Sequence, residues 1–224
     1  LCGMGLPMGL QYSITAIGSV ILQTAVNDMG STYVAAVSAG SKISMFMCCP
    51  FDAMGSTMAT YGGQNVGARR LDRVDQGLKA CIKMGIIYAL VALAFSIVFG
   101  KQLALLFVKK EQIELIGYIY EFVVINAAFY IFLALVNIVR FMIQGLGYST
   151  FAILAGICEM IARSVAGFVL VPHFGFICVS LGSPLAWVCA DLFLIPAYLW
   201  VMKQLRRKFG ENKISRAKSA TATI

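Results

Sequence analysis

Six apolar segments, each about twenty residues long or longer, dominate this chain of 224 residues. A helix needs about 20 mostly apolar residues to cross the hydrocarbon core of a bilayer. In lipid, the backbone polar groups of such a segment have to be satisfied within the segment itself. We therefore predict an all-α integral membrane protein, a bundle of six transmembrane helices. The predicted spans cover about residues 5–26, 33–62, 81–99, 116–143, 150–171 and 176–201.

The composition agrees with a lipid-coated protein. Hydrophobic residues make up 60% of the chain and charged residues 12%, whereas a soluble domain carries about 25% charged residues. The net charge of +8 would suggest a nucleic-acid partner in a soluble protein. Here the basic residues lie in a loop and a tail beside apolar spans, so we expect a lipid bilayer as the partner and no nucleic acid.

The basic residues predict the orientation of the bundle. Three of them fall on one side, Lys101, Lys109 and Lys110, and twelve on the other: Arg69, Arg70, Arg73, Lys79, Lys83, Lys203, Arg206, Arg207, Lys208, Lys213, Arg216 and Lys218. The basic side is predicted to be cytoplasmic. Residues 1–203 then form a membrane lobe and residues 204–224 a basic tail. We expect a multi-pass protein of a bacterial plasma (inner) membrane with both chain ends in the cytoplasm.

Charged residues within the predicted spans are the first candidates for function, because such charges are costly and usually face an interior or a water-filled cavity. Glu159 and Arg163 are four residues apart and share a helix face. Lys42 could bind an anion, pair with an acid or change protonation. Asp191 is a candidate proton or cation site, or a partner for Lys42 or Arg163. We predict an interior polar network of Lys42, Glu159, Arg163 and Asp191.

Other polar residues are assigned by their position. Arg140, Asp52 and Glu121 lie towards the ends of predicted spans, and we interpret them as anchors at the membrane interface. Neutral polar side chains in lipid seek partners or line a cavity. The candidates for lining a cleft are Gln11, Tyr12, Thr15 and Asn137.

Enzyme chemistry has no support in the sequence. We find no phosphate-binding loop, no His/Cys metal cluster and no nucleophile with a base beside it, so no catalytic, cofactor-binding or metal-binding residue is assigned. The only histidine, His173, lies in a predicted turn. The seven cysteines lie in or beside apolar segments and are interpreted as small hydrophobic residues. No cofactor is expected.

Several short stretches form an ordered set of motifs over about residues 1–205. They are Gly5-Leu6-Pro7-Met8-Gly9-Leu10-Gln11, Val34-Ala35-Ala36 with Lys42-Ile43, Pro50 with Gly55, Gly63-Gln64-Asn65-Val66-Gly67-Ala68 followed by Asp72-Arg73, Gln144-Gly145-Leu146-Gly147, Glu159 with Arg163, and Ser183-Pro184-Leu185-Ala186-Trp187. In their order and spacing together they resemble the multidrug and toxic compound extrusion (MATE) family.

The resemblance implies twelve helices in two six-helix lobes, with a central cleft that opens alternately to each side. This chain resembles the second lobe, spans seven to twelve, so its first partner would be the N-terminal lobe of the same protein. The family exports cationic and lipophilic compounds in exchange for Na⁺ or H⁺. Two positions depart from branches that carry acids there: Thr15, and the stretch from Leu133 to Asn137. We therefore assign no sodium site.

The sequence also allows a different class of function. A six-span module could assemble as a homo-oligomeric channel or small carrier. Because the chain begins at Leu1 and is apolar from its first residue, we expect instead a piece of a longer protein. The resemblance implies that this protein is a cation-coupled antiporter that exports drugs or other small organic compounds.

Overall fold

The computed structural model describes the backbone of residues 2–221 and the side-chain surroundings of residues 9–210. Over these residues the chain is helical, without a strand, and the prediction of an all-α fold is confirmed. The elements are α1 (Cys2–Asn27), α2 (Ser31–Gly67), α3 (Leu71–Ala104), α4 (Ile113–Ala128), α5 (Tyr130–Gly145), α6 (Ser149–Val165), a π-helix (Ala166–Leu170), α7 (Val171–Phe174) and α8 (Phe176–Thr221).

Most of the helices are long enough to cross a bilayer. Four continuous helical stretches are both long and apolar enough, Ser31–Gly67, Leu71–Ala104, Ser149–Phe174 and Phe176–Gly210, and α4 with α5 make a fifth if they form one bent span. Over its described residues α1 is not among them, although it is a helix of 26 residues. That the chain crosses the membrane six times stays a prediction. The boundary between the membrane lobe and the basic tail at residue 203 also stays a prediction.

The fourth predicted span, 116–143, is broken where the sequence predicted a continuous helix. The axes of α4 and α5 differ by 51° at Phe129. Asn126 lies three residues before the break, and its amide donates to the carbonyl of Phe122 at 2.8 Å and to the carbonyl of Ser180 at 3.3 Å. A side chain that enters the backbone hydrogen-bond ladder in this way is a common cause of a kink.

Three prolines lie inside helices without ending them, whereas a glycine marks the end of the fifth span. The helix α2 continues past Pro50, and α8 continues past Pro184 and Pro196. The fifth span was predicted to end at about residue 171, before Pro172. The helix instead continues through the π-helix and α7 to Phe174. It ends at Gly175, whose φ of 68° is a left-handed conformation that glycine adopts without strain.

The helix α5 lies at the centre of the bundle. Every residue from Val136 to Gln144 is buried, among side chains of α2, α3, α6 and α8. Polar residues of α5 therefore point into protein rather than into lipid. This position brings Asn137, Arg140 and Gln144 within reach of three neighbouring helices.

Candidate functional site

A cluster of charged side chains lies inside the bundle where α5, α6 and α8 meet. Glu159 of α6 is only 2% exposed. One of its carboxylate oxygens accepts a hydrogen bond from Arg140 of α5, and the other accepts one from Arg163, a turn further along α6, at 3.2 Å. Both ion pairs are buried. A single carboxylate thus binds two arginines that belong to different helices.

A second acid completes this charge cluster, which comprises Arg140, Glu159, Arg163 and Asp191. Asp191 of α8 is 4% exposed, on a helix that packs against both α5 and α6. Neither carboxylate oxygen of Asp191 has a hydrogen-bond donor among the described residues, and the Nε groups of Arg140 and Arg163 likewise have no acceptor there. The charge cluster therefore keeps unused hydrogen-bonding capacity.

The helix α1 joins this region through neutral polar groups. The amide of Gln144 on α5 donates to the side-chain oxygen of Gln11 on α1, which is also buried. Thr15 is half-buried one turn further along α1. Gly156 of α6 lies against this part of α1, and a Cβ there would make ordinary contacts of 3.6 Å with the side chains of both Gln11 and Thr15.

The structure brings together three residues of the predicted network and leaves one outside. Glu159, Arg163 and Asp191 belong to the charge cluster, but Lys42 is exposed on α2 and forms no ion pair with a described residue. The interpretation of Arg140 as an interface anchor was wrong, because this side chain is 5% exposed and bonded to Glu159. One feature of the sequence could have indicated an interior position for Arg140. Arg140 and Gln144 are four residues apart, so these two polar side chains share one face of α5.

A second polar feature is the exposed side of α2, which we call the polar face. Lys42 and Asp52 are both exposed there and lie ten residues apart, about 15 Å along the helix axis. Asp52 accepts a hydrogen bond from Asn137 of α5 at 3.1 Å. The other polar residues of this face are Ser38, Ser41, Ser56, Thr57, Thr60 and Gln64. Tyr12 is exposed on the neighbouring helix α1.

Within the predicted spans, the exposed sides of α3 and α8 are largely apolar. The large exposed side chains of α3 are Met84, Ile87, Leu90, Val91, Phe95, Ile97, Val98 and Phe99, and those of α8 are Ile177, Leu185, Leu192, Ile195, Leu199 and Trp200. These surfaces suit lipid. Charges within a span usually face protein or a water-filled cavity, so we expect the polar face of α2 to be the side of the lobe that faces away from lipid.

Metal chemistry is not indicated by the described part of the chain. No group of three or more His, Cys, Asp or Glu side chains there is arranged to hold a metal ion. The six described cysteines are all free thiols.

The comparison with protein-family models decides the identity of this bundle. The MatE model matches residues 7–169, which is most of the chain. The chain belongs to the MATE family. It is therefore a chain of a multi-pass membrane transporter family rather than an enzyme, as the resemblance of its motifs predicted.

Individual relatives agree with the family. The chain is 22% identical over 112 residues to the "Probable multidrug resistance protein YoeA" of Bacillus subtilis (strain 168), which is 50% of this chain and 24% of that protein. Among solved structures, a "MATE in complex with MaL6" matches with a TM-score of 0.81 and 20% identity over 92% of this chain and 47% of the other. An inward-facing "multidrug resistance MATE family transporter" matches with a TM-score of 0.76 and 20% identity, over 91% and 47%.

These matches establish the MATE fold of the chain. They also show that it spans less than half the length of the relatives and solved structures that it matches. The buried charge cluster and the polar face thus belong to one MATE lobe.

Proposed function

We propose that the full-length protein is a secondary active transporter that exports drugs or other small organic compounds in exchange for H⁺ or Na⁺, and that this chain is its C-terminal half. The observation that carries the proposal is the polar face of α2. It exposes Lys42 and Asp52 in a helix that is long and apolar enough to span a bilayer. A second lobe would turn this face into one wall of a central cleft.

Alternating access follows from the same arrangement. Solved MATE transporters include proteins described as inward-facing and outward-facing. A lobe with lipid-compatible surfaces on α3 and α8 and one polar face can rock against a partner lobe while that face stays out of lipid. Substrates that carry polar and apolar groups fit a surface where Lys42 and Asp52 alternate with Met45, Phe46 and Cys49.

The charge cluster is the proposed coupling element. Arg140 has two acidic neighbours: it is bonded to Glu159, while Asp191 has no donor among the described residues. A shift of α5 or α8 that brings Arg140 against Asp191 would let Arg140 exchange one acid for the other. A buried carboxylate without a donor is costly to keep charged, so uptake of a proton by Asp191 would favour the arrangement in which Arg140 is bonded to Glu159.

The decisive experiment reconstitutes the full-length protein in vesicles with a fluorescent organic cation as the substrate. An imposed H⁺ or Na⁺ gradient is expected to drive movement of the dye. Failure of a panel of cationic and neutral lipophilic compounds to move under either gradient would contradict the proposal. The variant Asp191→Asn then separates coupling from transport, because it should still bind the dye but respond less to a proton gradient than the wild type.

Lys42→Ala is expected to reduce the transport rate about tenfold, equivalent to about 1.4 kcal/mol, without loss of expression. The reason is that Lys42 is exposed on the polar face and lacks a structural ion pair among the described residues. Lys42→Arg should keep most of the activity because the charge remains. Lys109→Ala, in the exposed turn before α4, is the matched control, and wild-type transport by Lys42→Ala would show that Lys42 has no role in the cleft.

A further inference from the structure

A groove lies between the first turns of α3 and the later part of α8, at the basic end of the bundle. Its volume is about 620 Å³. Buried Leu78 and Met202 form an apolar floor, and exposed Leu199 lies beside it. Four exposed basic residues form the rim: Lys79, Lys203, Arg206 and Arg207. Neither the charge cluster nor the polar face includes this groove.

A fixed polar contact holds the two helices together inside the groove. The hydroxyl of Tyr198 on α8 donates to Asp75 of α3 at 2.8 Å, and Arg206 of α8 binds the other carboxylate oxygen of Asp75. Asp75 therefore neutralises one of the four rim charges. Lys79, Lys203 and Arg207 are exposed and form no ion pair with a described residue, so the groove keeps a net charge of +3 (four bases minus one acid).

The groove lies at the depth of lipid headgroups. With a rise of 1.5 Å per residue, α8 crosses about 30 Å of hydrocarbon in about 20 residues. Counted from Phe176, the hydrocarbon core ends near residue 196, and the headgroup layer extends over roughly the next ten residues. Tyr198, Trp200 and the basic rim fall in this layer, and Tyr and Trp are enriched at membrane interfaces.

We propose that this groove binds an anionic phospholipid of the leaflet on the basic side of the bundle, which charge asymmetry assigns to the cytoplasm. The phosphate would contact Lys79, Lys203 and Arg207, and an acyl chain would run along Leu199 and the apolar floor. A nucleic acid or a free anion would make no use of that floor. Basic pockets between transmembrane helices are known to suit acidic headgroups, and here the hydrogen bond from Tyr198 to Asp75 joins the two helices that line the pocket.

The test measures phospholipid binding to the full-length protein in detergent by native mass spectrometry. Phosphatidylglycerol is the probe and phosphatidylcholine the neutral reference. The wild type is expected to bind phosphatidylglycerol more tightly. The double variant Lys203→Gln/Arg207→Gln should weaken this binding about 25-fold, since each basic group near an anionic surface contributes about a factor of five, while phosphatidylcholine binding stays unchanged.

Two further variants distinguish a lipid site from general attraction. Lys109→Gln/Lys110→Gln removes the same charge from exposed residues of the α3–α4 turn and should leave phosphatidylglycerol affinity unchanged. Leu199→Asn leaves the charge unchanged and should still weaken binding severalfold. Equal losses in the two double variants, wild-type affinity in Leu199→Asn, or displacement of the lipid by equimolar glycerol phosphate would each overturn the proposal.

Discussion

Glu159→Gln is expected to destabilise the folded protein by about 3–5 kcal/mol, the usual cost of removing one partner from a buried ion pair. The glutamine has nearly the same size, so packing stays intact and the change acts on charge. In the wild type, Glu159 accepts hydrogen bonds from both Arg140 and Arg163. In the variant, two buried arginines would share only Asp191, which has no donor among the described residues.

The measurement is the thermal unfolding midpoint of the full-length protein in detergent, together with the yield of monodisperse protein. Glu111→Gln, in the exposed turn before α4, is the control and should leave both unchanged. An unaltered midpoint in Glu159→Gln would show that the two arginines are compensated elsewhere.

A double variant makes the test independent of a general packing defect. Arg163→Met removes the one surplus positive charge that Glu159→Gln leaves, so Glu159→Gln/Arg163→Met should be less destabilised than the sum of the single variants. The remaining Arg140 can then be balanced by Asp191. Simple additivity would show that the three side chains do not act as one cluster.

The helical architecture could be predicted from the sequence because the bilayer imposes the length of apolar segments. The break between α4 and α5 could not, since no Pro or Gly marks it. The amide of Asn126 lies beside the break, and one of its two acceptors, the carbonyl of Ser180, lies 54 residues away. A local pattern contains no information on such a contact.

The charge cluster was predictable to the extent that its contacts are local. Glu159 and Arg163 are one helical turn apart, and their pairing follows from that spacing. Arg140 lies 19 residues from Glu159 in another helix, and its position towards the end of a segment suggested an anchor. Lys42 was assigned to the interior from its depth alone, yet depth does not determine which side of α2 packs against the bundle.

The contact between α2 and α5 leads to the second large effect. Gly145→Ala is expected to destabilise the protein by about 3 kcal/mol or more, at the upper end of overpacking. A Cβ at Gly145 would overlap the carbonyl oxygen of Ala59 and lie 2.8 Å from its Cα. These are backbone atoms of a helix, so no side-chain rotation can relieve the clash and the two helices must separate.

Gly117→Ala is the matched control for this substitution. A Cβ at Gly117, within α4, would meet nothing within 4 Å, and alanine is favoured over glycine in a helix by about 0.5–1 kcal/mol. Its unfolding midpoint should stay equal or rise slightly. Separation of α2 from α5 in Gly145→Ala should also break the hydrogen bond from Asn137 to Asp52, because the same two helices carry it. Transport by any folded Gly145→Ala protein is therefore expected to fall together with its stability, whereas wild-type stability would show that α2 shifts without cost.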